Sequence, residues 1–157
     1  MIYCIIGILV LALDIFTKYL AVKNLMDISS VPIINGILHL TYVENSGVAF
    51  GMLRDKRIVF VTLSIIILVV LGIYFYKAHS KDAWLKLGTV LIFSGSIGNM
   101  IERVSKGFVV DFLDFRLINF PVFNIADIAV CVGAAALVVH FIFFADDNKN
   151  LIESEKE

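Results

Sequence analysis

The sequence predicts a mainly α-helical membrane protein with four transmembrane helices, a small β-sheet outside the membrane and a loop at the membrane interface. Of its 157 residues, 60% are hydrophobic and only 17% are charged, and the mean hydropathy is +0.94. So few charged residues cannot cover the surface of a soluble domain of this size. The net charge of −1 and the absence of a basic stripe argue against a nucleic-acid partner.

Four long apolar segments are predicted to cross the bilayer, because about 20 apolar residues span its hydrocarbon core. They form a single integral membrane domain, 1–157, whose charged residues 146–157 are expected to be a cytoplasmic tail. The lysine-rich connection between the second and third spans indicates that both termini are cytoplasmic, although basic residues also flank the first connection. The predicted spans cover residues 2–22, 58–76, 86–103 and 125–145.

Two connections carry patterns of their own. Residues 29–53 alternate in a strand-like way around β-branched and aromatic side chains, and Asn45-Ser46-Gly47 supplies turn residues. They are predicted to form a small extracytoplasmic sheet, with a strand that resumes at 48–53. The connection Val104–Phe123 is apolar and rich in phenylalanine, so it is expected to be a platform at the membrane interface.

Two aspartates flank this interfacial connection. Asp127 lies three residues after Asn124 at the start of the fourth span, so the pair could simply form a capping box that begins the helix. Asp111 could equally be a turn residue. A short connection, however, returns the chain to the same membrane face, where the two carboxylates could converge. Two close carboxylates share one proton, which supplies one general acid and one general base.

Other polar residues in the spans have structural interpretations. Asp14 and Lys18 are four residues apart on the first span and are expected to neutralise each other near the interface. Asn99 and Arg103 share a face of the third span, where Arg103 could extend its charge to the interface. The glycines beside them, Gly95 and Gly98, are expected to admit a neighbouring helix.

The sequence gives little support to metal or nucleophilic-serine chemistry. It contains no H-E-x-x-H motif, and the residues around Ser96 do not suit a nucleophile. Cys4 and Cys131 lie in apolar runs and are predicted to be buried free thiols. His39, His79 and His140 fall in separate segments. No metal and no cofactor is therefore expected.

Five short blocks, in order along residues 2–145, resemble the bacterial lipoprotein signal peptidase family, also called signal peptidase II. Each block is a weak signal alone, but the ordered set together with four spans is specific. The blocks are DIFTK at 14–18, NSGVAFG at 45–51, GSIGNMIER at 95–103, VVDFLDF at 109–115 and FPVFNIADIAV at 120–130.

The resemblance implies an intramembrane aspartyl endopeptidase that cleaves diacylglyceryl-modified prolipoproteins just before the lipidated cysteine. It implies that Asp111, in the interfacial loop, and Asp127 are the catalytic pair, and that globomycin-type inhibitors bind. Positions that match substrate-binding residues of the family are Asn45, Gly47, Asn99, Arg103 and Asn124. Positions that match supporting residues are Asp14, Lys18, Glu102 and Ala126.

Glu102 departs from the family, which usually has aspartate there, so any pairing of Glu102 with Arg103 could differ. Val48 also stands where the family commonly has alanine. The protein is expected to be a monomer in the bacterial cytoplasmic membrane, in contact with membrane lipid, with its active site toward the extracytoplasmic face. A small proton- or solute-coupled transporter that uses buried carboxylates and a non-catalytic membrane scaffold are the alternatives.

Overall fold

The computed structural model describes residues 1–28, 30–47, 57–78 and 82–144. Within them, four helices are long and apolar enough to cross a membrane, and a three-stranded antiparallel sheet has the order β1-β2-β3, which confirms the predicted fold class. The helices are α1 (Ile2–Leu25), α2 (Arg57–Ala78), α3 (Ala83–Ser105) and α4 (Ile125–Phe143). The strands are β1 (Val31–Ile34), β2 (Leu38–Asn45) and β3 (Val109–Phe115).

The third helix is longer than the predicted span 86–103, which misses both ends. It begins at Ala83 because the Asp82 carboxylate accepts hydrogen bonds from the backbone N–H groups of Trp84 and Leu85. Such a cap satisfies amide donors that have no partner within the helix. The helix therefore reaches 23 residues, enough to cross the bilayer.

Helix α3 is the centre of the bundle and contacts the other three helices. Half of its most apolar window is buried, compared with 6% of that of α2. Glycines make this close packing possible: a Cβ atom on Gly95 would overlap the Ala126 carbonyl oxygen, and one on Gly88 would lie 2.8 Å from the Gly133 oxygen. The prediction that the α3 glycines admit a neighbouring helix is confirmed.

The predicted interfacial loop contains a strand, so that part of the prediction is wrong. Residues Val109–Phe115 form β3, which pairs with β2 so that Asp111 lies opposite Val43. Side chains on both faces of β3 are largely buried, and the chain therefore lacks the polar alternation by which a surface strand is recognised. Part of the predicted sheet, at Ser29 and at 48–53, lies outside the described residues.

The apolar surface of the bundle faces outward, as expected in lipid. Large hydrophobic side chains along α1 and α2 are exposed in the isolated chain, among them Phe16, Ile58 and Val70. Cys4 and Cys131 are also exposed, so the prediction that both are buried is wrong. In a helix that is apolar on all sides, sequence alone does not distinguish the lipid-facing side from the packed side.

Candidate active site

Two carboxylates from different elements line one cleft of about 460 Å³. Asp111 is the third residue of β3 and is 1% exposed, and Asp127 lies in the first turn of α4. Asn45, Gly47 and Arg103 line the same cleft. The fold therefore brings the two aspartates to a single concave site, because α3 and β3 lead the chain back to the start of α4.

Asn124 links the two carboxylates. The Asn124 side-chain Oδ1 accepts a hydrogen bond from the Asp127 backbone N–H at 2.9 Å. The Asn124 backbone N–H donates to Asp127 Oδ2 at 3.2 Å, and the two hydrogen bonds together form a capping box. Its Nδ2 donates to Asp111 Oδ1 at 2.6 Å. The capping interpretation and the active-site interpretation are therefore not alternatives, since one side chain serves both.

Asn99 reaches the same carboxylates from α3. Its Nδ2 donates to Asp127 Oδ1 at 2.8 Å, while its Oδ1 accepts from Lys18 Nζ at 2.8 Å and from Asn124 Nδ2 at 3.1 Å. An ammonium group can only donate hydrogen bonds. Lys18 therefore fixes which end of the Asn99 amide faces Asp127.

Asn45 binds Asp111 from the end of β2. Its Nδ2 donates to Asp111 Oδ2 at 2.8 Å, and its Oδ1 accepts from the Gly47 backbone N–H at 3.0 Å. Each oxygen of Asp111 thus receives one amide donor. Charge-assisted hydrogen bonds of this kind hold a carboxylate in a fixed orientation.

The electrostatics of Asp111 favour its protonated form. Burial in the cleft, followed by the nearby charge of Asp127, raises the pKa of Asp111 from 3.8 to about 7. The donors Asn45 and Asn124, and the charge of Lys18, act in the opposite direction and limit the rise. A carboxyl with this pKa carries its proton during about half of the time at neutral pH, which suits a general acid.

Arg103 extends along the wall of the cleft beside the two carboxylates. Its guanidinium carbon lies 5.2 Å from the centroid of the Phe60 ring, a cation–π contact that orients the side chain. Its Nε is buried and has no hydrogen-bond partner among the residues described. Phe60 was not predicted as a site residue, and its only signal in the sequence is that it is the one aromatic residue in the first half of α2.

Below the cleft lies a buried charge cluster that joins α1, α3 and α4. Lys18 Nζ lies 2.9 Å from Asp14 Oδ2 and 3.4 Å from Glu102 Oε2. Asp14 Oδ1 accepts from the backbone N–H of Ala126 at 3.0 Å, a residue that is fully buried. Asp14 and Lys18 are buried at 0% and 3% exposure, and their ion pair confirms the expectation that they neutralise each other.

Glu102 belongs to this cluster and does not pair with Arg103 among the described contacts. Its carboxylate binds Lys106 Nζ at 2.7 Å and accepts from the Val110 backbone N–H at 2.9 Å. The extra methylene of Glu102 relative to aspartate therefore affects the contacts that connect the end of α3 to β3. Arg103 instead lines the cleft that contains the two aspartates.

The remaining wall of the cleft is apolar. The predicted phenylalanine platform contributes Phe120 and Phe123, whose rings meet edge to face at 5.5 Å. Helix α4 contributes Ile128, Cys131 and Val132, one turn or more beyond Asp127. These three residues were not predicted to belong to the site, because nothing in the sequence separates them from lipid-facing residues of the same span.

Other candidate residues lie elsewhere. Asp114 binds Thr41 and Arg116, and His140 binds Asp82 and Tyr74 at the far end of the bundle. His79 lies outside the described residues. Within the described part of the chain, no group of three or more His, Cys, Asp or Glu side chains could hold a metal ion.

Comparison with known proteins gives consistent matches over nearly the whole chain. A family model described as signal peptidase (SPase) II matches residues 6–143. The chain is 43% identical over 149 residues to the lipoprotein signal peptidase of Clostridioides difficile strain 630, covering 95% of this chain and all of that protein. It is 47% identical over 135 residues to the lipoprotein signal peptidase of Caldanaerobacter subterraneus subsp. tengcongensis, covering 85% of this chain and 91% of that protein.

The fold is also similar to solved structures. A bacterial membrane enzyme structure obtained by the in meso method at 2.3 Å resolution matches with a TM-score of 0.82 and 34% identity, over 89% of this chain and 87% of that one. A second, at 1.9 Å resolution, matches with a TM-score of 0.80 and 33% identity, over 90% and 93% of the two chains. By sequence and by fold, the chain belongs to the signal peptidase II family.

Proposed function

We propose that this chain is a multi-pass membrane aspartic endopeptidase that removes signal peptides from diacylglyceryl-modified prolipoproteins, cleaving on the N-terminal side of the lipidated cysteine. The family and the names of its relatives support the reaction class and the substrate class. We assign catalysis to Asp111 and Asp127 because both line one cleft, where three asparagine side chains hold them. A transporter finds no support in these relatives.

The proposed reaction uses a water molecule between Asp111 and Asp127. Asp127, in its charged form, accepts a proton from this water as the water oxygen attacks the scissile carbonyl carbon. Asp111, whose pKa is about 7, donates its hydrogen to the carbonyl oxygen and polarises it. As the tetrahedral intermediate collapses, the C–N bond breaks and the leaving amine takes the proton held by Asp127. The hydroxyl of the intermediate returns its proton to Asp111 as the new carboxylic acid forms, so the protonation of the pair is restored.

The substrate peptide would be held by polar groups along the cleft. Arg103 Nε is a buried donor without a described partner, and Arg103 and Gly47 both line the cleft beside the aspartates. Such donors can bind the carbonyls of an extended peptide and position it for attack. Asn45, Asn99 and Asn124 act mainly through the two carboxylates, because their amides already bind them.

The lipid part of the substrate would lie against the apolar wall of the cleft. Phe120, Phe123, Ile128 and Val132 provide this wall, which is continuous with the lipid-facing side of α4. Each methylene of the diacylglyceryl group that leaves water contributes about 0.8 kcal/mol. A site at the membrane rim therefore suits a substrate whose cleaved bond adjoins an anchored cysteine.

Within the bacterial cytoplasmic membrane, we place the cleft toward the extracytoplasmic face and both termini in the cytoplasm. The even number of spans and the lysines at 77, 81 and 86, which fall at the end of α2, in the connection and at the start of α3, support this orientation. We also propose that the enzyme works as a monomer in contact with membrane lipid and binds globomycin-type inhibitors. The residues 1–157 would form one domain.

The test is cleavage of a diacylglyceryl-modified prolipoprotein by purified Asp111→Asn and Asp127→Asn variants. Both are expected to lose at least about 10³-fold in kcat, since each removes a group that transfers protons in the reaction. Asp114→Asn is the matched control, because Asp114 lies on the same strand but binds Thr41 and Arg116. Circular dichroism should show that all three variants are folded.

A folded Asp111→Asn or Asp127→Asn enzyme that still cleaves would remove that residue from the mechanism. Loss of activity in Asp114→Asn to the same extent would indicate a structural effect of strand β3 instead. Inhibition of the wild-type enzyme by globomycin supports the family assignment of the site, and resistance would contradict the proposed inhibitor binding.

A further inference from the structure

Lys18 is the centre of the buried charge cluster and is enclosed by acceptors from two helices. Its side chain is 3% exposed. An ammonium group has three N–H donors and accepts no hydrogen bond, and three acceptors surround this one. They are Asn99 Oδ1 at 2.8 Å, Asp14 Oδ2 at 2.9 Å and Glu102 Oε2 at 3.4 Å. The acceptors therefore match the donors of Lys18 in number.

On the side of α4, Asp14 connects Lys18 to the backbone that precedes Asp127. One oxygen of Asp14 faces Lys18, and the other accepts the backbone N–H of Ala126 at 3.0 Å. Ala126 comes immediately before Asp127 and is fully buried. Close packing leaves Asp14 little room to move, because a Cβ atom on Gly98 would overlap its Oδ2 atom. Lys18 is thus linked, through one carboxylate, to the first turn of α4.

On the side of β3, Glu102 makes the equivalent connection to the backbone that precedes Asp111. Its Oε2 faces Lys18 and accepts the backbone N–H of Val110 at 2.9 Å. Val110 comes immediately before Asp111 and is also fully buried. The other oxygen of Glu102 binds Lys106 Nζ at 2.7 Å, which fixes the orientation of the carboxylate. Each acid beside Lys18 therefore holds the residue that precedes one aspartate of the cleft.

Asn99 adds a connection to the side chains of the aspartates. Its Oδ1 accepts from Lys18 Nζ at 2.8 Å and from Asn124 Nδ2 at 3.1 Å. The Asn99 amide then donates to Asp127, and the Asn124 amide donates to Asp111. One oxygen atom is thus shared by Lys18 and the amide donors of the pair. A displacement of Lys18 would shift the donors of both carboxylates.

From these three connections we infer that Lys18 is a positioning residue for catalysis: its ammonium group sets the distance between Asp111 and Asp127 and the orientation of their amide donors. This role rests on the proposed function, in which the two aspartates hydrolyse the peptide bond. Lys18 acts through its partners and itself lines a groove of about 280 Å³ between α1 and α3. Without this cation, two buried carboxylates would lose their shared counter-charge and repel each other.

The charge of Lys18 also affects the ionisation of Asp111. Burial and, after it, the charge of Asp127 raise the pKa of Asp111 to about 7, and the charge of Lys18 opposes this rise. Loss of that charge should therefore raise the pKa of Asp111 further. Other charged groups around the pair are Arg103 in the cleft and Asp14, Glu102 and Lys106 on the side of Lys18.

Steady-state cleavage of a diacylglyceryl-modified prolipoprotein by purified Lys18→Met tests the inference. We expect kcat to fall roughly 100-fold and KM to change less than about twofold, because misplacement of the reacting groups by about 1 Å can cost this much while the cleft wall is kept. The alkaline limb of the kcat/KM profile should move up by at least about 0.5 pH unit, because Asp111 keeps its proton to higher pH. Lys23→Met, at an exposed lysine in the last turn of the same helix, is the matched control and should behave as wild type.

Lys18→Arg separates position from charge. It keeps the positive charge, but a planar guanidinium cannot place its donors as a compact ammonium does. We expect kcat to fall at least about tenfold, whereas the alkaline limb should stay within about 0.2 pH unit of wild type. Circular dichroism shows which variants are folded, and Lys18→Arg carries the test if Lys18→Met does not fold.

Wild-type kcat in a folded Lys18→Met or Lys18→Arg enzyme would overturn the inference. A lower kcat in Lys18→Met with an unchanged pH profile would indicate loss of folded enzyme and would also overturn it. Inactive Asp111→Asn and Asp127→Asn enzymes beside a fully active Lys18→Met enzyme would remove Lys18 from the mechanism and leave the proposed function intact.

Discussion

At the scale of single residues, three asparagine side chains orient the two carboxylates by donating hydrogen bonds to them. The side-chain oxygen of each accepts a hydrogen bond from a group that can only donate, so its NH₂ group must face an aspartate. These donors determine which end of each asparagine amide is the oxygen and which is the nitrogen. The pairs of asparagine and fixing donor are Asn45 with the Gly47 N–H, Asn99 with Lys18, and Asn124 with the Asp127 N–H.

Asn124 has two functions that mutation can separate. Asn124→Ser keeps an N-cap residue but cannot reach Asp111, while Asn124→Ala loses both contacts. We expect both variants to lose roughly 10- to 100-fold in kcat, because the amide donor that orients the Asp111 carboxyl group is removed. Thermal unfolding should show that the serine variant is more stable than the alanine variant by about 1 kcal/mol, the usual contribution of an N-cap side chain. Wild-type activity in the serine variant would contradict the role of the Asp111 contact.

The pKa of Asp111 predicts how activity depends on pH. Burial and the charge of Asp127 raise this pKa to about 7, so Asp111 is mostly protonated below pH 7 and mostly charged above it. If the protonated form is the general acid, kcat/KM should fall about tenfold for each pH unit well above 7. A pH profile of prolipoprotein cleavage in detergent measures this. A decline that begins as the pH is lowered through 7 would assign Asp111 the role of base.

At the scale of elements, the site depends on how closely α3 and α4 approach. We expect Gly95→Ala to lower stability by about 1–3 kcal/mol, because its Cβ would overlap the Ala126 carbonyl oxygen, which cannot move without the start of α4. Gly72→Ala is the matched control in another membrane helix, where the Cβ meets only the Phe93 ring at 3.5 Å. The melting temperature of each variant measures the effect, and equal values would contradict this packing.

Helix α2 contributes to the cleft through one aromatic contact. Phe60→Leu removes the ring that lies against the Arg103 guanidinium, while Phe60→Tyr keeps it. We expect the leucine variant to raise KM about three- to fivefold with a smaller change in kcat, since a cation–π contact contributes about 0.5–1 kcal/mol. Steady-state kinetics measure this, and a tyrosine variant with the same defect as leucine would rule out the ring contact as the cause.

At the scale of the whole molecule, Asp14 connects the first helix to the last. It forms a buried ion pair with Lys18 and accepts the Ala126 N–H in the first turn of α4. Asp14→Ala should cost about 3–5 kcal/mol of stability, because it leaves a buried ammonium group and a helix amide without this partner. Asp27→Ala, at an exposed aspartate just after α1, is the control. Thermal unfolding followed by Trp84 fluorescence compares them, and equal stabilities would show that the cluster does not hold the bundle together.

Much of this organisation could be predicted from local sequence. The spans follow from the length of apolar runs, and the Asn124–Asp127 capping box follows from a three-residue spacing. The position of Asp111 in a β-strand could not be predicted, because β3 is buried on both faces and its partner β2 is more than 60 residues away in the chain. Phe60 and Cys131 were also beyond prediction, because in lipid-facing helices nothing in the sequence indicates which apolar residue turns toward a cleft.

The sequence by itself determined the class of protein, the four spans, the family and the identity of the polar residues, because the bilayer imposes length and hydropathy on each segment separately. Tertiary structure alone decided that Asp14, Lys18 and Glu102 form a buried cluster and that Asn99 and Asn45 donate to different aspartates. The physical reason is that buried charges and amides must find partners, and in this chain those partners come from other helices and strands.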